Sequence, residues 1–290
     1  MHWIRLFRIS QWIKNTFVFL PLFFAGRLFE APQALWRTAG IGLAFCLVAS
    51  GIYILNDFLD REDDRQHPLK QFRPLAAGKI PLAQALSVMT LLFLLGFCIA
   101  LPIHTHAAIL LGVYLLLNIA YSLRLKHIPI LDVSLISVGF LLRIFAGGQT
   151  EGIFVSKWLI LMTFLLALFL GFAKRRDDVL LFNQQGTRAR KSIDGYSLEF
   201  INICLAVMAA VTIVAYIMYT VSDDALHSIG NSQAYLTTIF VILGILRYLQ
   251  ITMVEQKSGA PTQLFWKDRF LQLTLLGWIL SYYFFLYLSK

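Results

Sequence analysis

The sequence predicts an all-α polytopic membrane protein, a bundle of nine transmembrane helices that forms a single domain over residues 1–290. The first indication is composition, since 58% of the 290 residues are hydrophobic and only 14% are charged, whereas soluble domains average about 25% charged residues. The second is that apolar runs of about 18 or more residues, each long enough to cross a bilayer, recur along the whole chain. These two observations leave no stretch for a large soluble domain.

The N-terminal segment, residues 1–14, predicts a basic helix that lies in the membrane interface. Its apolar and basic residues can occupy opposite helical faces, with Trp3, Leu6, Phe7 and Ile13 on one face and Arg5, Arg8 and Lys14 on the other. The segment is not expected to be a cleavable signal peptide, because it has neither a long apolar core nor a small-residue cleavage site.

Nine membrane spans follow this helix, the first of them short and interrupted by Pro21. Their predicted limits are 15–29, 37–58, 82–101, 107–123, 130–148, 157–174, 199–220, 235–254 and 270–288. Two long, charged loops, 59–81 and 175–198, follow the second and the sixth span. Because these loops contain few Gly and Ser residues, we expect ordered caps there. Their spacing of four helices suggests two pseudo-equivalent halves plus one further span.

The basic residues orient the spans. If the N-terminus lies in the cytoplasm, most of the 25 lysines and arginines fall in cytoplasmic segments, as the positive-inside rule requires. The expected location is therefore the inner (plasma) membrane, with the N-terminus and both long loops in the cytoplasm. This bias and the anionic lipid head groups explain the net charge of +9, so no nucleic-acid partner is expected.

The second span ends in a dense group of charges, NDFLDREDDRQHPLKQFRP, residues 56–74. If the helix continues, Asp57, Asp60 and Asp64 share one face with Asn56 beside them. Three carboxylates so close together repel one another beside a low-dielectric region, and a divalent cation relieves that repulsion. Oxygen ligands without a His or Cys partner favour Mg²⁺, which shares its remaining positions with phosphate oxygens. The motif therefore predicts a magnesium–diphosphate site.

The same stretch continues with basic side chains that can donate hydrogen bonds to phosphate oxygens. These candidate substrate-binding residues are Arg61, Arg65, His67, Lys70 and Arg73.

The motif Asn56-Asp57-x-x-Asp60-x-x-x-Asp64 resembles the first aspartate motif of the UbiA superfamily of intramembrane prenyltransferases, whose fold has nine transmembrane helices. The stretch Tyr121-Ser122-x-x-Leu125-Lys126 and the later Asp132 resemble the signature that follows the fourth span of that family. The resemblance implies that Tyr121 and Lys126 bind substrate.

A closer resemblance is to one branch of the superfamily, the polyprenyl-phosphate (decaprenyl-phosphate) phosphoribosyltransferases. It rests on motifs spread over the chain: Gln11-Trp12-Ile13-Lys14-Asn15, Val18-Phe19-x-Pro21-Leu22, Asp64-Arg65-x-His67-Pro68-x-Lys70-x-x-Arg73-Pro74, Leu142-Arg143-x-x-Ala146-Gly147, Arg247-Tyr248-Leu249 and Lys267-Asp268-Arg269. The branch implies Mg²⁺-dependent transfer of a 5-phosphoribosyl group from phosphoribosyl pyrophosphate to a polyprenyl phosphate.

The second charged loop departs from the commonest superfamily pattern. Prenyl-diphosphate users carry a second Asp-x-x-Asp there, whereas this chain has Lys174-Arg175-Arg176-Asp177-Asp178. The phosphoribosyl branch resembles Lys-Arg-x-x-Glu, and Asp178 occupies the acidic position with a side chain one methylene shorter. Lys174, Arg175 and Asp178 are therefore expected to bind the 5-phosphate and ribose of the donor, while the separate contributions of Asp177 and Asp178 stay open.

Three polar residues near the first and fifth spans are further candidates for a role in binding or structure. Lys14 and Asn15, where the interfacial helix meets the first span, are candidates for binding the lipid phosphate, and Arg143 inside a span is expected to pair structurally. Prenyl transfer to an aromatic or tetrapyrrole acceptor would require the second carboxylate pair that this chain lacks. A transporter would place its charges near the midplane and not at one face. The prenyl chain length and the oligomeric state stay open.

Overall fold

The structure, a computed structural model, describes residues 2–28, 32–67, 70–185, 191–222, 232–256, 264 and 266–285. The regular structure of these residues is helical, which confirms the predicted class. The α-helices are α1 His2–Phe7, α2 Leu20–Phe24, α3 Pro32–Leu59, α4 Arg61–Gln66, α5 Leu82–Ile103, α6 Thr105–Leu123, α7 Leu131–Thr150, α8 Lys157–Gln185, α9 Leu198–Thr220, α10 Thr238–Met253 and α11 Arg269–Tyr283. Short 3₁₀ helices cover Ile9–Phe19, Lys70–Phe72, Leu125–His127, Lys191–Gly195 and Ser232–Thr237.

Seven helices in the described part of the chain are long and apolar enough to cross a membrane. They correspond to the second through eighth predicted spans and establish an integral membrane protein. The count of nine stays a prediction, because the described residues of the first and the ninth predicted span do not form a helix long enough to cross a membrane. Residues 15–28 form the end of a 3₁₀ helix followed by the five-residue α2, and α11 has 15 described residues, about 22 Å against a bilayer core of about 30 Å.

The N-terminal segment is not one helix over residues 1–14. Helix α1 ends at Phe7, Arg8 takes a left-handed backbone conformation (φ 51°, ψ 50°), and the 3₁₀ helix Ile9–Phe19 begins after it. Leu6 is fully buried in a cluster with Ile54 of α3 and Leu75. The segment is thus packed into the bundle rather than lying wholly on its surface.

Gly147 lets the chain pass directly against α7. A Cβ atom at this position would lie 1.8 Å from the carbonyl oxygen of Val18 in the N-terminal 3₁₀ helix. Since a backbone oxygen cannot rotate away as a side chain does, this contact requires glycine. The close approach places the neighbouring Asn15 inside the bundle, where it is buried.

The two largest buried apolar clusters of the described residues lie in different groups of helices. One cluster joins α3, α5, α6 and α7 and includes Phe45, Leu111 and Ala146. The other is built mainly from α8, α9 and α10 and includes Phe169 and Leu205. Packing of α7 against α8 connects the two clusters.

Both charged loops begin with helical residues. The backbone continues almost without interruption from α3 into α4, since the amide of Asp60 donates to Asn56 O (2.9 Å) and that of Asp64 donates to Asp60 O (2.8 Å). Helix α8 runs on to Gln185, so the first part of the predicted loop 175–198 is helix. The sixth predicted span ends at residue 174, where the charged residues begin. A group of charged residues does not itself end a helix. Residues 186–190 of that loop lie outside the described residues.

Candidate active site

The aspartates at the end of α3 and in α4 converge through a shared arginine. Asp57 and Asp64 are each only 2% exposed. Arg73 Nη1 lies 3.2 Å from Asp57 Oδ1 and 2.7 Å from Asp64 Oδ2. Asp57 Oδ1 also accepts a hydrogen bond from Arg8 Nη2. The spacing of seven residues thus places both carboxylates on one face, as the sequence predicts, and two arginines neutralise them.

Asp60 has a different partner. Its carboxylate accepts hydrogen bonds from Lys126 Nζ and from Asn56 Nδ2, the latter at 3.0 Å. Lys126 is buried in the 3₁₀ helix between α6 and α7, and its ammonium lies 3.4 Å from Asn56 Oδ1. The signature after the fourth predicted span therefore meets the aspartate motif directly. Tyr121 lies nearby on α6, close enough to Lys14 to act on its pKa.

The aspartate motif fits a divalent cation by its donor chemistry. Three carboxylates and one amide oxygen are hard donors of the kind that Mg²⁺ prefers. Among the described residues, no group of three or more His, Cys, Asp or Glu side chains is arranged to hold a metal ion, and Arg8, Arg73 and Lys126 occupy the carboxylates. Metal binding would require these basic side chains to release the carboxylates. The basic side chains could then donate hydrogen bonds to phosphate oxygens of a substrate.

The remaining residues of the first loop divide into two groups. Arg61 and Arg65 bind the exposed Glu62 at 3.0 Å and 2.9 Å, so their ion pairs lie on the solvent side of α4. His67 accepts a hydrogen bond from the Lys70 amide at 3.3 Å. Partial burial and the charge of Lys70 lower the pKa of His67, while Asp64 and Asp178 oppose this effect. His67 therefore lies between the first and the second charged motif.

The second charged motif is built around a buried arginine. Arg175 is 1% exposed, its Nη1 lies 2.6 Å from Asp178 Oδ2, and its Nε lies 3.5 Å from Asp132 Oδ2. Arg176 turns away and donates to Asn202 Oδ1 and to the carbonyl of Thr252. Lys174 is exposed. The structure thus brings Arg175 and Asp178 together as predicted, but two carboxylates already hold the guanidinium that was expected to bind a phosphate.

Asp132 and Tyr196 form a buried network that sequence reasoning largely missed. Asp132 accepts hydrogen bonds from Tyr196 Oη (2.6 Å) and Ser192 Oγ (3.3 Å), and Tyr196 Oη accepts one from the Ile130 amide. Burial, and then the hydrogen bond to Asp132, raise the pKa of Tyr196. Asp132 was noted only in the signature resemblance. Tyr196 lies in a loop, where a single aromatic residue gives no periodic signal.

Arg143 shows the structural pairing expected for a charge inside a span. Its Nε donates to Asn15 Oδ1 (2.7 Å) and its Nη2 to Tyr114 Oη (2.8 Å). Asn15 in turn donates to Cys46 Sγ. Because this amide has two protein partners, it holds the N-terminal segment against the bundle. Its predicted role toward a lipid phosphate stays a prediction.

Lys14 is partly buried close to two arginines. Within the described part of the chain, no hydrogen bond or ion pair engages its ammonium group. Burial, followed by the charges of Arg143 and Arg8, lowers the pKa of Lys14 to about 8, and Tyr121 opposes this shift. An unpaired cation beside other cations is a favourable place for an anion.

A bundle of membrane helices that gathers aspartates and basic side chains at one end fits an integral membrane transferase. The chain belongs to the UbiA prenyltransferase family, whose model matches residues 16–271. It is 34% identical to the decaprenyl-phosphate phosphoribosyltransferase of Mycolicibacterium smegmatis, over 95% of this chain and 89% of the relative. It is 31% identical to the protein of the same name from Corynebacterium glutamicum, over 95% and 84%.

The similarity extends to solved structures. A UbiA homolog from Archaeoglobus fulgidus, solved bound to DMAPP and Mg²⁺, superimposes with a TM-score of 0.73 at 18% identity, covering 99% of this chain and 100% of that one. At this level of identity the comparison establishes a shared fold.

Proposed function

We propose that this protein transfers the 5-phosphoribosyl group of phosphoribosyl pyrophosphate to a polyprenyl phosphate in a Mg²⁺-dependent reaction. The observation that carries the proposal is the pairing of one aspartate motif with one cationic motif. Where a second metal-binding carboxylate pair would be expected for prenyl transfer, α8 presents Lys174 together with an Arg175–Asp178 ion pair. The names of the two relatives support this choice.

The aspartate motif serves the diphosphate of the donor. Bound at Asp57, Asp60 and Asp64, Mg²⁺ would neutralise the charge that develops on the departing diphosphate. Arg73 and Lys126, which hold these carboxylates in the structure, would then donate hydrogen bonds to diphosphate oxygens. His67 and Lys70 belong to the same loop and extend this set of donors toward α8.

The cationic motif serves the sugar phosphate. Lys174 is exposed and can reach a terminal phosphate dianion, while Asp178 can accept a hydrogen bond from a ribose hydroxyl. Arg175 fixes Asp178 from a buried position, and Asp132 fixes Arg175 from the other side. Arg175 therefore acts through the geometry of Asp178, and in this conformation its charge is held by two carboxylates.

The acceptor needs little activation. A phosphate monoester is largely dianionic near neutral pH, because its second pKa is about 6. One of its oxygens forms a bond to the anomeric carbon as the bond from that carbon to the diphosphate breaks. No general base is required, so positioning and electrostatics can supply the catalysis. We assign the lipid phosphate to Lys14 and the prenyl tail to an apolar groove between the helices.

The site lies at the cytoplasmic end of the bundle in this proposal. The bias of basic residues supports an inner-membrane protein whose N-terminus and two charged loops lie in the cytoplasm. A water-soluble donor then reaches the site from the cytoplasm, and a lipid acceptor reaches it from the bilayer.

The test is a reconstitution of the reaction. Purified protein is incubated with Mg²⁺, phosphoribosyl pyrophosphate and a polyprenyl phosphate, and the lipid is analysed by mass spectrometry. The expected product is polyprenylphosphoryl-5-phosphoribose, and chelation of Mg²⁺ should abolish it. If the protein ignored this donor and consumed a prenyl diphosphate with an aromatic acceptor, prenyl transfer would be the correct function.

A further inference from the structure

Arg8 has a backbone conformation that few residues other than glycine adopt. Its φ of 51° and ψ of 50° lie in the left-handed region, which costs free energy and persists only where the surroundings hold it. The turn separates α1 from the 3₁₀ helix Ile9–Phe19. It also directs the side chain of Arg8 toward α3 and away from the polar helical face predicted for it.

Ser50 of α3 holds both sides of this turn. Its hydroxyl donates to the carbonyl of Phe7 (3.0 Å) and accepts a hydrogen bond from Trp12 Nε1 (3.0 Å). Leu6 anchors the preceding helix in an apolar cluster. These contacts determine the backbone at Arg8 from the residues before and after it.

Ser50, Tyr53 and Asp57 follow one face of α3, since their spacing of three and four residues matches the helical repeat. The guanidinium of Arg8 lies over the ring of Tyr53, 4.7 Å from its centroid, and forms an ion pair with Asp57. The left-handed turn, the buried Leu6 and the contacts with α3 thus position Arg8 beside Asp57.

Asp57 has more cationic partners than its charge requires. Arg73 and Arg8 both bind the same oxygen, and Arg73 also binds Asp64. If a divalent cation engages Asp57, the charge of Arg8 loses its partner. Arg8 is then an unpaired cation near Lys14, which already lacks an anionic partner among the described residues. Two such cations match the charge of one phosphate monoester dianion.

We propose that Arg8 binds the acceptor phosphate together with Lys14, and that it exchanges its ion pair with Asp57 for this phosphate when the metal and the donor are bound. This inference rests on the proposed function. The acceptor, and not the donor, is assigned to Arg8 because both cations belong to the N-terminal segment at the membrane interface. The cations assigned to the donor come from the α4–α5 loop, from the 3₁₀ helix Leu125–His127 and from α8.

The proposal predicts that the two substrate sites are coupled. In the wild-type protein, Mg²⁺ with inorganic diphosphate should tighten the binding of polyprenyl phosphate, because it frees Arg8 from Asp57. The expected increase in affinity is about tenfold, within the usual range of coupling between sites. In Arg8→Gln the lipid phosphate should bind about tenfold more weakly, and the effect of Mg²⁺ and diphosphate should disappear.

The experiment measures the Kd of a radiolabelled polyprenyl phosphate for detergent-solubilised protein, with and without Mg²⁺ and diphosphate. Arg5→Gln is the matched control, because Arg5 lies exposed on α1 and the change removes the same charge. Should Arg8→Gln fail to fold, Arg8→Lys keeps the charge but loses the planar pair of donors, and a reduced coupling is expected.

Three outcomes separate the claims. Loss of affinity and of coupling in the Arg8 variant, with both retained in Arg5→Gln, supports the proposal. If the wild-type protein binds the lipid phosphate and the Arg8 variant binds it equally well with the same coupling, the role of Arg8 is refuted while the proposed function stands. If the wild-type protein binds no polyprenyl phosphate at all, the proposed function fails and the role of Arg8 fails with it.

Discussion

Lys174 and Arg175 are adjacent in the sequence but have opposite surroundings. Lys174 is exposed, whereas Arg175 is buried. We therefore expect Lys174→Gln to raise the donor KM about tenfold, equivalent to about 1.4 kcal/mol, with an unchanged Tm. A donor without the 5-phosphate should be used equally poorly by wild-type and variant enzyme. Equal use of both donors by the wild-type enzyme would exclude a 5-phosphate site at Lys174.

Arg175 should behave as a structural residue as well. Arg175→Gln leaves Asp132 and Asp178 without their cation, and breaking a buried ion pair costs about 3–5 kcal/mol. The expected result is a lower free energy of unfolding together with a higher donor KM. Thermal unfolding in detergent, compared with Lys174→Gln, measures the difference. A stable Arg175 variant would contradict the buried network described above.

The three aspartates should be needed for turnover more than for folding. Asp57→Asn, Asp60→Asn and Asp64→Asn each remove one charge and keep the size of the side chain. Each should lower Mg²⁺-dependent turnover by about 100-fold or more, the usual scale for losing one electrostatic contact in the transition state. Glu62→Gln is the matched control, since Glu62 lies on the exposed side of α4. Near-normal activity in all three variants would show that the metal site is elsewhere.

The lowered pKa of Lys14 predicts that kcat/KM for the acceptor depends on pH. Lys14 is charged below its pKa of about 8 and neutral above it, and Arg8 and Arg143 face it from the N-terminal segment and α7. The kcat/KM for the acceptor reports the free enzyme and should fall as the pH rises through about 8. Lys14→Arg should extend the plateau to higher pH, whereas Lys79→Arg in an exposed loop should not. Identical profiles for wild type and Lys14→Arg would contradict this assignment.

At the scale of elements, the contact between the N-terminal 3₁₀ helix and α7 can be tested at its closest point. Gly147→Ala places a methyl group against the carbonyl oxygen of Val18, and overpacking of this kind costs about 1–3 kcal/mol. Gly112→Ala is the matched control, because its nearest neighbour would lie 3.9 Å away and alanine favours helix. We expect a lower unfolding midpoint for Gly147→Ala alone. Equal midpoints would mean that the 3₁₀ helix can move away from α7.

The elements also show what a sequence can and cannot predict. Spans such as 37–58 were placed within a few residues, since bilayer thickness sets the length of an apolar helix. The first span was not, because Pro21 and the close approach at Gly147 break it into a 3₁₀ helix and α2. The spacing of Asp57 and Asp64 matches their shared contact with Arg73, while their role toward a metal stays a prediction. The partner Arg8 was missed, since helical periodicity cannot reveal a left-handed turn that Ser50 stabilises from a distant helix.

At the scale of the whole molecule, the orientation of the bundle is the main prediction. Asp63 lies exposed on α4 at the end of the bundle that carries the charged motifs, and Phe154 lies exposed between α7 and α8 at the other end. A cysteine introduced at Asp63 should react with a membrane-impermeant reagent from the cytoplasmic side, and one at Phe154 from the opposite side. The unmodified protein gives the background of its native cysteines. Labelling of both positions from the same side would overturn the topology.

The packing of Leu6 has a consequence for how the protein is made. The first helix leaves the ribosome before any of its partners, yet its anchor is a cluster that includes Leu75, Ile80 and Leu92. Helix α1 must therefore wait at the membrane surface until α5 has been synthesised and inserted. Only then can Arg8 reach Asp57. Although α1 precedes α3 and α5 in the chain, its final position therefore depends on both of them.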